Sequence, residues 1–235
     1  MSSVIFTWSS RITLGLLASW LCAATASAAV ITVTTDLDAP LANDGECTLR
    51  EAITNAQVNS TAGSTDCVAG GAIDEIVFST YFDTPRTINL VSNLPFLSGH
   101  MTVSGPGLAN LTISGGGTHR IFIVSDADGT PNSSVTIRDL TLRDGLADGN
   151  GGGAIVSLEL LTLTRLRLEN NNAGVGSGGA VRLQAGTLLV QNSLFKGNSA
   201  PDASFGLGGA ISASNLTTPL QIVSSGAPGT SSARS

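Results

Sequence analysis

Residues 135–145 read Val-Thr-Ile-Arg-Asp-Leu-Thr-Leu-Arg-Asp-Gly, and the same pattern recurs at 161–171 and 188–198. Each block is followed by Gly-Gly-Ala and a β-branched residue, and these motifs occupy residues 152–155, 178–181 and 208–211. Successive copies are separated by 26 to 30 residues. A repeat of this length is typical of a solenoid, in which similar units stack on one another.

Within each block, apolar and polar residues alternate. Val135 and Ile137 flank Thr136, and the alternation resumes at Leu140 after one corner residue, Asp139. A period of two is typical of a β-strand, whereas a helix has a period of 3.6. Glycine and asparagine separate the strands, and no helical stretch lies between them. The sequence therefore predicts an all-β fold, a single-stranded right-handed parallel β-helix (pectin-lyase-like solenoid) over residues 76–223.

Stacking predicts that equivalent residues form columns. Two inward columns are expected: Ile137, Leu163, Val190; and Leu142, Leu168, Phe195. An exposed ladder of alternating charge is expected from Arg143, Glu169 and Lys196, worth a few tenths of a kcal/mol per pair, roughly. Asparagines 170–172 and 198 are expected to shape corners rather than to bind sugar. Shorter β-prone runs at 76–78, 87–90, 101–103, 111–113 and 121–124 should form earlier turns, and the last turn should present an exposed edge.

An N-terminal capping helix is expected ahead of these strands. Thr48 and Glu51 match the Thr-x-x-Glu pattern of a capping box, and an apolar face follows from Leu49, Ala52, Ile53 and Ala56. Such a helix would cover the open end of a stack of strands, which otherwise invites aggregation. Cys47 and Cys67 favour a disulfide in an exported protein, with two free thiols as the alternative.

Residues 1–28 have the features of an export signal. Arg11 precedes an apolar run that ends in Ala26-Ser27-Ala28, and these small residues favour cleavage between Ala28 and Ala29. An uncleaved membrane anchor is the alternative, because the run approaches the about 20 residues that a spanning helix needs. We expect the mature chain to be secreted or associated with the outer membrane or cell surface, without a membrane span. Residues 29–75 would form the cap, and 224–235 a disordered or truncated tail.

The segment Cys47-Thr48-Leu49-Arg50-Glu51-Ala52-Ile53 resembles the Cys-Ser-Leu-Arg-Glu-Ala signature of the CSLREA domain, found near the start of exported bacterial β-helix proteins. Thr48 stands where the family has serine, and either residue can cap a helix. The repeats resemble those of polymorphic outer membrane proteins, which pair Gly-Gly-Ala-Ile with Phe-x-x-Asn, as at 208–211 and 195–198. Residues 168–171 are a relaxed version. These resemblances imply a β-helix at the cell surface and a role in adhesion.

The acidic net charge of the chain argues against one class of function, nucleic-acid binding. The chain has 11 basic and 17 acidic residues, a formal net charge of −6, and Lys196 is its only lysine. A nucleic-acid-binding protein usually carries a basic patch, so the sequence predicts no nucleic-acid partner. The expected partner is a surface polysaccharide or a host or matrix protein, and the oligomeric state is left open.

Charged residues of the repeats are the candidates for polysaccharide lyase or hydrolase chemistry, which needs clustered carboxylates with a nearby base. They are Arg138, Asp139, Arg143, Asp144, Asp148, Arg165 and Arg167. Alternation would place Arg138 and Arg143 on different strands, and stacking would pair Asp139 with Arg165. Ion-paired ladders are therefore expected instead of a catalytic site.

Other candidate sites are weaker. Asp126 and Asp128 lack the later ligands of a calcium loop. His100 and His119 have no His or Cys at metal-binding spacing, and the Gly-x-Gly-x-x-Gly at 174–179 has no strand–helix context. The sequence predicts no cofactor, metal or catalytic residue. It favours a non-catalytic exported protein, adhesin-like or structural in the cell envelope. The alternatives are a β-helix polysaccharide lyase or glycoside hydrolase, and a truncated remnant without activity.

Overall fold

A computed structural model describes residues 28–201, 208–216, 218 and 220–223. The described chain is mostly β-structure, with one α-helix, α1 (Leu49–Val58), and a short 3-10 helix (Thr80–Asp83). Its strands are β1 (Ala28–Val33), β2 (Ile73–Phe78), β3 (Arg86–Asn89), β4 (His100–Ser104), β5 (Leu111–Ser114), β6 (Phe122–Val124), β7 (Ser134–Arg143), β8 (Ile155–Ser157), β9 (Leu160–Glu169), β10 (Val181–Leu183), β11 (Thr187–Gln191), β12 (Leu194–Lys196), β13 (Ile211–Ala213) and β14 (Gln221–Val223). Each of the five shorter runs expected from the sequence overlaps a strand.

The strands form two sheets. The larger has the order β1-β2-β4-β7-β9-β11-β14, while β12 pairs with β9, and β5 pairs with both β3 and β7. The smaller has the order β13-β10-β8-β6. Every ladder between named strands of the described chain is parallel. The prediction of an all-β fold is confirmed.

The register places the predicted inward columns in line. Ile137 lies opposite Leu163, which lies opposite Val190, and all three side chains are buried. Leu142 and Leu168 are likewise aligned and buried, whereas Phe195, next in that column, is only partly buried. Each fully buried leucine or isoleucine stabilises the fold by about 1.5–3 kcal/mol relative to an exposed one. These columns form one part of the hydrophobic core, which extends from Ile31 to Val190.

The predicted corner lies inside a strand rather than between two. β7 continues through Asp139 to Arg143, so the prediction that Arg138 and Arg143 occupy different strands is wrong. Asp139, Arg165 and Asn192 bend the chain with φ angles of 60°, 50° and 50°. One left-handed residue turns the backbone while the ladder continues on both sides of it. The hydrophobic pattern marks such a bend but does not show whether the strand ends there.

Asparagine side chains link neighbouring repeats at the next corner. Asn171 is fully buried, and its amide donates to the carbonyl of Leu142 (3.2 Å) and to Oδ1 of Asn198 (2.9 Å). Its Oδ1 accepts from the backbone N–H of Gly145 at 2.9 Å. Asn198 donates in turn to the carbonyl of Leu168 at 2.9 Å. The asparagine of the Phe-x-x-Asn pattern thus satisfies buried backbone groups of the preceding repeat.

Replacing Asn171 by alanine should lower the free energy of unfolding by about 2–3 kcal/mol, because buried partners at Gly145 and Leu142 lose their hydrogen bonds. The exposed Asn150 provides a matched control, and Asn150→Ala should change stability by less than about 0.5 kcal/mol. Urea denaturation of the two variants measures both effects. Equal stability of the two variants would contradict the structural role of Asn171.

The helix α1 packs against β1 and β2, at one end of the larger sheet. The predicted capping box is confirmed: Thr48 Oγ1 accepts from the N–H of Glu51, and Glu51 Oε2 accepts from the N–H of Thr48. A disulfide joins Cys47 to Cys67, consistent with the expectation for an exported chain. β1 belongs to the main sheet, and residue 75, the expected end of the cap, lies within β2.

At the opposite end, β14 and β13 are the edge strands of the two sheets, and Ile222 and Val223 of β14 are 41% and 50% exposed. Within the described ranges, no helix is both long and apolar enough to cross a membrane. The expected signal segment up to residue 27 and the expected tail at 224–235 lie outside the described residues, while Ala28 and Ala29 begin β1.

Candidate functional site

The charged residues around Asp139 form a short network of ion pairs. Arg165 donates from Nε and one Nη to the two oxygens of Asp139, each at 2.6 Å, as stacking predicts. These hydrogen bonds raise the pKa of Arg165 above its usual value. Arg138, also near Asp139 at 3.5 Å, binds Glu75 at 2.8 Å. Asp139 is therefore held by arginines on two strands, which ties β7 to β9.

The remaining candidates bind other partners. Arg143 lies 3.4 Å from Asp144, and Arg167 lies 3.7 Å from Glu169. The predicted register of Arg143, Glu169 and Lys196 is correct. The expected pairing along that ladder is not what forms, since Glu169 pairs with Arg167 of its own strand. Residues two apart on a strand project from the same face, so the neighbour within the strand competes with the neighbour across it.

Arg120 is a buried cation that the sequence patterns did not reveal. Its side chain is only 5% exposed, and it donates to the carbonyls of Gly152 (3.0 Å) and Gly151 (3.1 Å). Its ion pair is with Asp148, at 2.7 Å. Burial lowers the pKa of Arg120 from its usual value. Asp148, a catalytic candidate in the sequence, thus pairs with the arginine that binds the glycine-rich loop at 151–153.

Glu159 is the second buried charge that sequence reasoning missed. It is 1% exposed and lies between β8 and β9. Its Oε2 accepts from the backbone N–H groups of Asn132 (2.9 Å) and Ser133 (3.1 Å), and Oε1 accepts from that of Asp126 at 3.5 Å. The carboxylate therefore anchors the loop before β7. Its position in the apolar run Leu158-Glu159-Leu160 is the signal that could have identified it.

The carboxylates of Glu159 and of Asp126, which meet at the loop before β7, have pKa values shifted in opposite directions. Burial raises the pKa of Glu159 above 4.5, and the nearby charge of Asp126 adds to the effect. The backbone N–H of Asp128 and then the hydroxyl of Ser133 hold the pKa of Asp126 below 3.8. Asp126 and Asp128, considered for calcium, instead accept hydrogen bonds from within the loop. No group of three or more His, Cys, Asp or Glu suited to a metal occurs among the described residues.

These shifts predict opposite effects of two neutralising substitutions. The folded state binds the proton of Glu159 more tightly than the unfolded state, so Glu159 makes folding less favourable as pH rises through its raised pKa. Glu159→Gln should therefore be more stable than the wild type at pH 7, with the gain vanishing below the ordinary glutamate pKa. Asp126 contributes stability that is lost as pH falls through its lowered pKa, so Asp126→Asn should be less stable at pH 7.

Urea denaturation of both variants and the wild type at neutral and at acidic pH measures the differences. Both differences should shrink as the wild-type carboxylates become protonated. A loss of stability for Glu159→Gln at pH 7 that disappears at acidic pH would contradict this prediction, because the charged form would then be the better partner of the loop.

Arg50 of the Cys-Thr-Leu-Arg-Glu-Ala segment makes four side-chain hydrogen bonds in the N-terminal region. Its guanidinium binds both carboxylate oxygens of Asp38, at 2.9 and 2.8 Å, and also donates to the carbonyls of Asn93 (2.7 Å) and Ser92 (3.0 Å). The two side chains are 11% and 1% exposed. Asp38 accepts a further bond from the N–H of Val91 at 2.9 Å. Arg50 therefore joins α1 to the segment that follows β3.

Asn55, on the same helix, organises the loop closed by the disulfide. It is fully buried; its amide donates to three carbonyls, and its Oδ1 accepts from two N–H groups, between 2.7 and 3.2 Å. The partners are Gly63, Ser64, Cys67 and Val68. Glu51 likewise accepts from Ala42 at 2.8 Å in addition to its capping bond. No buried side-chain nitrogen or oxygen among the described residues lacks a hydrogen-bond partner.

The structure brings three of the sequence candidates together, since Arg138 and Arg165 both contact Asp139, whereas the other candidates form their own ion pairs. Asp139, Asp144 and Asp148 each have their own arginine, and these pairs lie at successive corners and in a loop. Arranged in this way, the charges can hold strands and loops together and present aligned cations to solvent. No protein-family model, no curated protein and no solved structure matches this chain.

Proposed function

We propose that this chain is an exported parallel β-helix, right-handed and single-stranded, that acts without catalysis as an adhesin-like or structural protein of the cell envelope. In this proposal α1 is the cap of the solenoid, and the CSLREA-like segment belongs to that cap. The mature protein is secreted or associated with the cell surface. Its partner is a surface polysaccharide or a host or matrix protein.

The pairing of each strand with its equivalent one repeat later supports the solenoid. Residues 134–143 pair with 160–169, and 160–164 pair with 187–191, all in parallel. Left-handed corner residues recur in the same register at Asp139 and Arg165, and again at Asp144 and Asn170. A stack of this kind needs neither helices between its strands nor closure of a sheet.

One observation carries the non-catalytic role: the charged residues of the repeats are used to join parts of the fold. Asp139 binds Arg165 across two strands, and Asp148 binds the buried Arg120 beside the glycine-rich loop. An acid or base in catalysis must instead exchange protons with a substrate within hydrogen-bond reach. Aligned side chains on rigid parallel strands suit repeated, low-affinity contacts with an extended partner.

The experiment is a binding and turnover assay on one preparation of residues 29–235. Immobilised polysaccharides, matrix proteins and host cells are the binding targets, and a polymer of uronic acid is incubated with the protein to detect chain cleavage. Saturable binding without cleavage products is expected. Cleavage of the polymer without retention on any surface would replace the proposal with the lyase or hydrolase alternative.

Export is tested separately. Expression of the full chain in a bacterium with two membranes, followed by fractionation and N-terminal sequencing, should recover a product that begins at Ala29 outside the cytoplasm. An intact Met1 in the cytoplasmic fraction would contradict the proposed location.

A further inference from the structure

The exposed cations of the described chain are concentrated on three adjacent strands. The side chains of Arg143, Arg165 and Arg167 are 45%, 48% and 45% exposed, and Lys196 on β12 is also exposed. These four residues are called the basic strip below. The other cations of the described chain have other contacts: Arg138 binds Glu75 and lies near Asp139, Arg50 and Arg120 are buried, Arg86 stacks on Tyr81, and Arg182 donates to serines.

Register places the cations of the strip on successive rungs of one sheet. Arg143 on β7 lies opposite Glu169 on β9, which lies opposite Lys196 on β12. Arg167 occupies the adjacent outward column of β9, two residues from Glu169. Neighbouring strands are about 4.8 Å apart, so a linear chain that crosses the three strands passes Arg143, then Arg167 beside Glu169, and then Lys196.

Part of the hydrogen-bonding capacity of the strip is unused within the described chain. Arg143 and Arg167 contact their carboxylates through Nε, at 3.4 and 3.7 Å, and Lys196 has no ion pair among the described residues. A guanidinium has five N–H donors and an ammonium has three. Several charged N–H groups can therefore donate hydrogen bonds to a ligand while the internal ion pairs persist.

The charge of this surface is opposite to that of the rest of the protein. The four cations and the carboxylates of Asp139, Asp144 and Glu169 leave a formal charge of +1, whereas the whole chain carries −6. The remainder therefore carries −7. An anionic polymer is repelled by most of the molecule and attracted to this strip, which orients the encounter.

From this arrangement we infer that the basic strip binds a linear acidic polysaccharide that carries a carboxylate on each sugar. The polymer lies across β7, β9 and β12, and its carboxylates receive hydrogen bonds from the free guanidinium nitrogens and from the ammonium of Lys196. This inference rests on the proposed function and assigns to it a partner class and a binding surface.

The test measures retention of the full mature protein on immobilised polygalacturonate, a polymer with this charge pattern, with a neutral dextran as the reference. Lys196→Gln and Arg143→Gln should each weaken binding about two- to fivefold, because each removes one exposed ionic contact. Arg86→Gln, with the same change of charge on β3, should bind like the wild type. Raising the salt concentration from about 50 to 200 mM should weaken wild-type binding, since exposed charges are screened.

Each outcome has one meaning. Equal losses of polygalacturonate binding for Arg86→Gln and Lys196→Gln would contradict the proposed binding surface, because net charge alone would then explain the binding. Retention on dextran or a matrix protein but not on polygalacturonate would also overturn it, and the adhesive function would stand. Failure to bind any surface would remove both proposals. A circular dichroism spectrum unchanged by the substitutions excludes unfolding as the cause of a loss.

Discussion

Replacing Arg50 by methionine is expected to lower the free energy of unfolding by about 3–5 kcal/mol, because Asp38 then remains as a buried charge without a partner. The side chain of Asp38 is 1% exposed, so solvent hardly reaches the carboxylate in the folded protein. The carbonyls of Ser92 and Asn93 also lose a charged donor. Chemical denaturation followed by circular dichroism measures the change.

The chain offers a matched control in which the same two-point contact is exposed. Arg165 binds both oxygens of Asp139 as Arg50 binds those of Asp38, but the Arg165 side chain is 48% exposed. Arg165→Met should therefore cost less than about 1 kcal/mol. The double variant Asp38→Asn/Arg50→Met should recover part of the loss, since it removes the stranded charge. Equal costs for Arg50→Met and Arg165→Met would show that burial does not set the strength of these pairs.

Removal of the disulfide has the second large expected effect. The double variant Cys47→Ser/Cys67→Ser should lose about 3 kcal/mol of stability, because the bridge closes a loop and restricts the unfolded chain. The sequence separation of the two cysteines is 20 residues, and α1 lies between them. Urea unfolding of the variant and of the oxidised wild type gives the difference.

Reduction provides the control for this experiment. Wild-type protein unfolded and measured with a reductant present should have the same stability as the double serine variant, because both lack the link in the unfolded state. If the variant is destabilised and the reduced wild type is not, the serine side chains and not the missing link cause the loss.

The repeats could be predicted from sequence because one local rule controls them. Alternation assigns Ile137 and Leu163 to the interior, and the constant step between blocks places them opposite one another. The capping box is similarly local, since Thr48 and Glu51 are three residues apart. Predictions of this kind need only the geometry of one strand or one helical turn.

The residues that sequence reasoning missed act over long separations. Arg50 reaches the carbonyl of Asn93, 43 residues away, and Arg120 reaches that of Gly152, 32 residues away. Glu159 binds N–H groups 26 and 27 residues earlier. Such partners meet only after the strands have stacked, and the separations of 43 and 32 residues match no repeat step, whereas those of Glu159 equal it. A further signal is a charged residue inside an apolar run.

The pairing of Glu169 shows a second limit. Its register opposite Arg143 and Lys196 follows from the repeat, but its ion pair with Arg167 depends on side-chain rotamers at an exposed surface. Exposed pairs differ by only tenths of a kcal/mol, roughly, so several arrangements compete. The prediction was correct where backbone geometry decides and wrong where small energies decide.

The left-handed bend column formed by Asp139, Arg165 and Asn192 separates the parts of the chain that can vary in length from those that cannot. Spacing along this column is 26 and then 27 residues, while the alanines of the second and third Gly-Gly-Ala motifs, Ala180 and Ala210, are 30 apart. Three extra residues therefore lie between Asn192 and Ala210, after the bent strand and before the third motif. Insertions in this connection can change the shape of the surface while the register of the stacked strands stays the same.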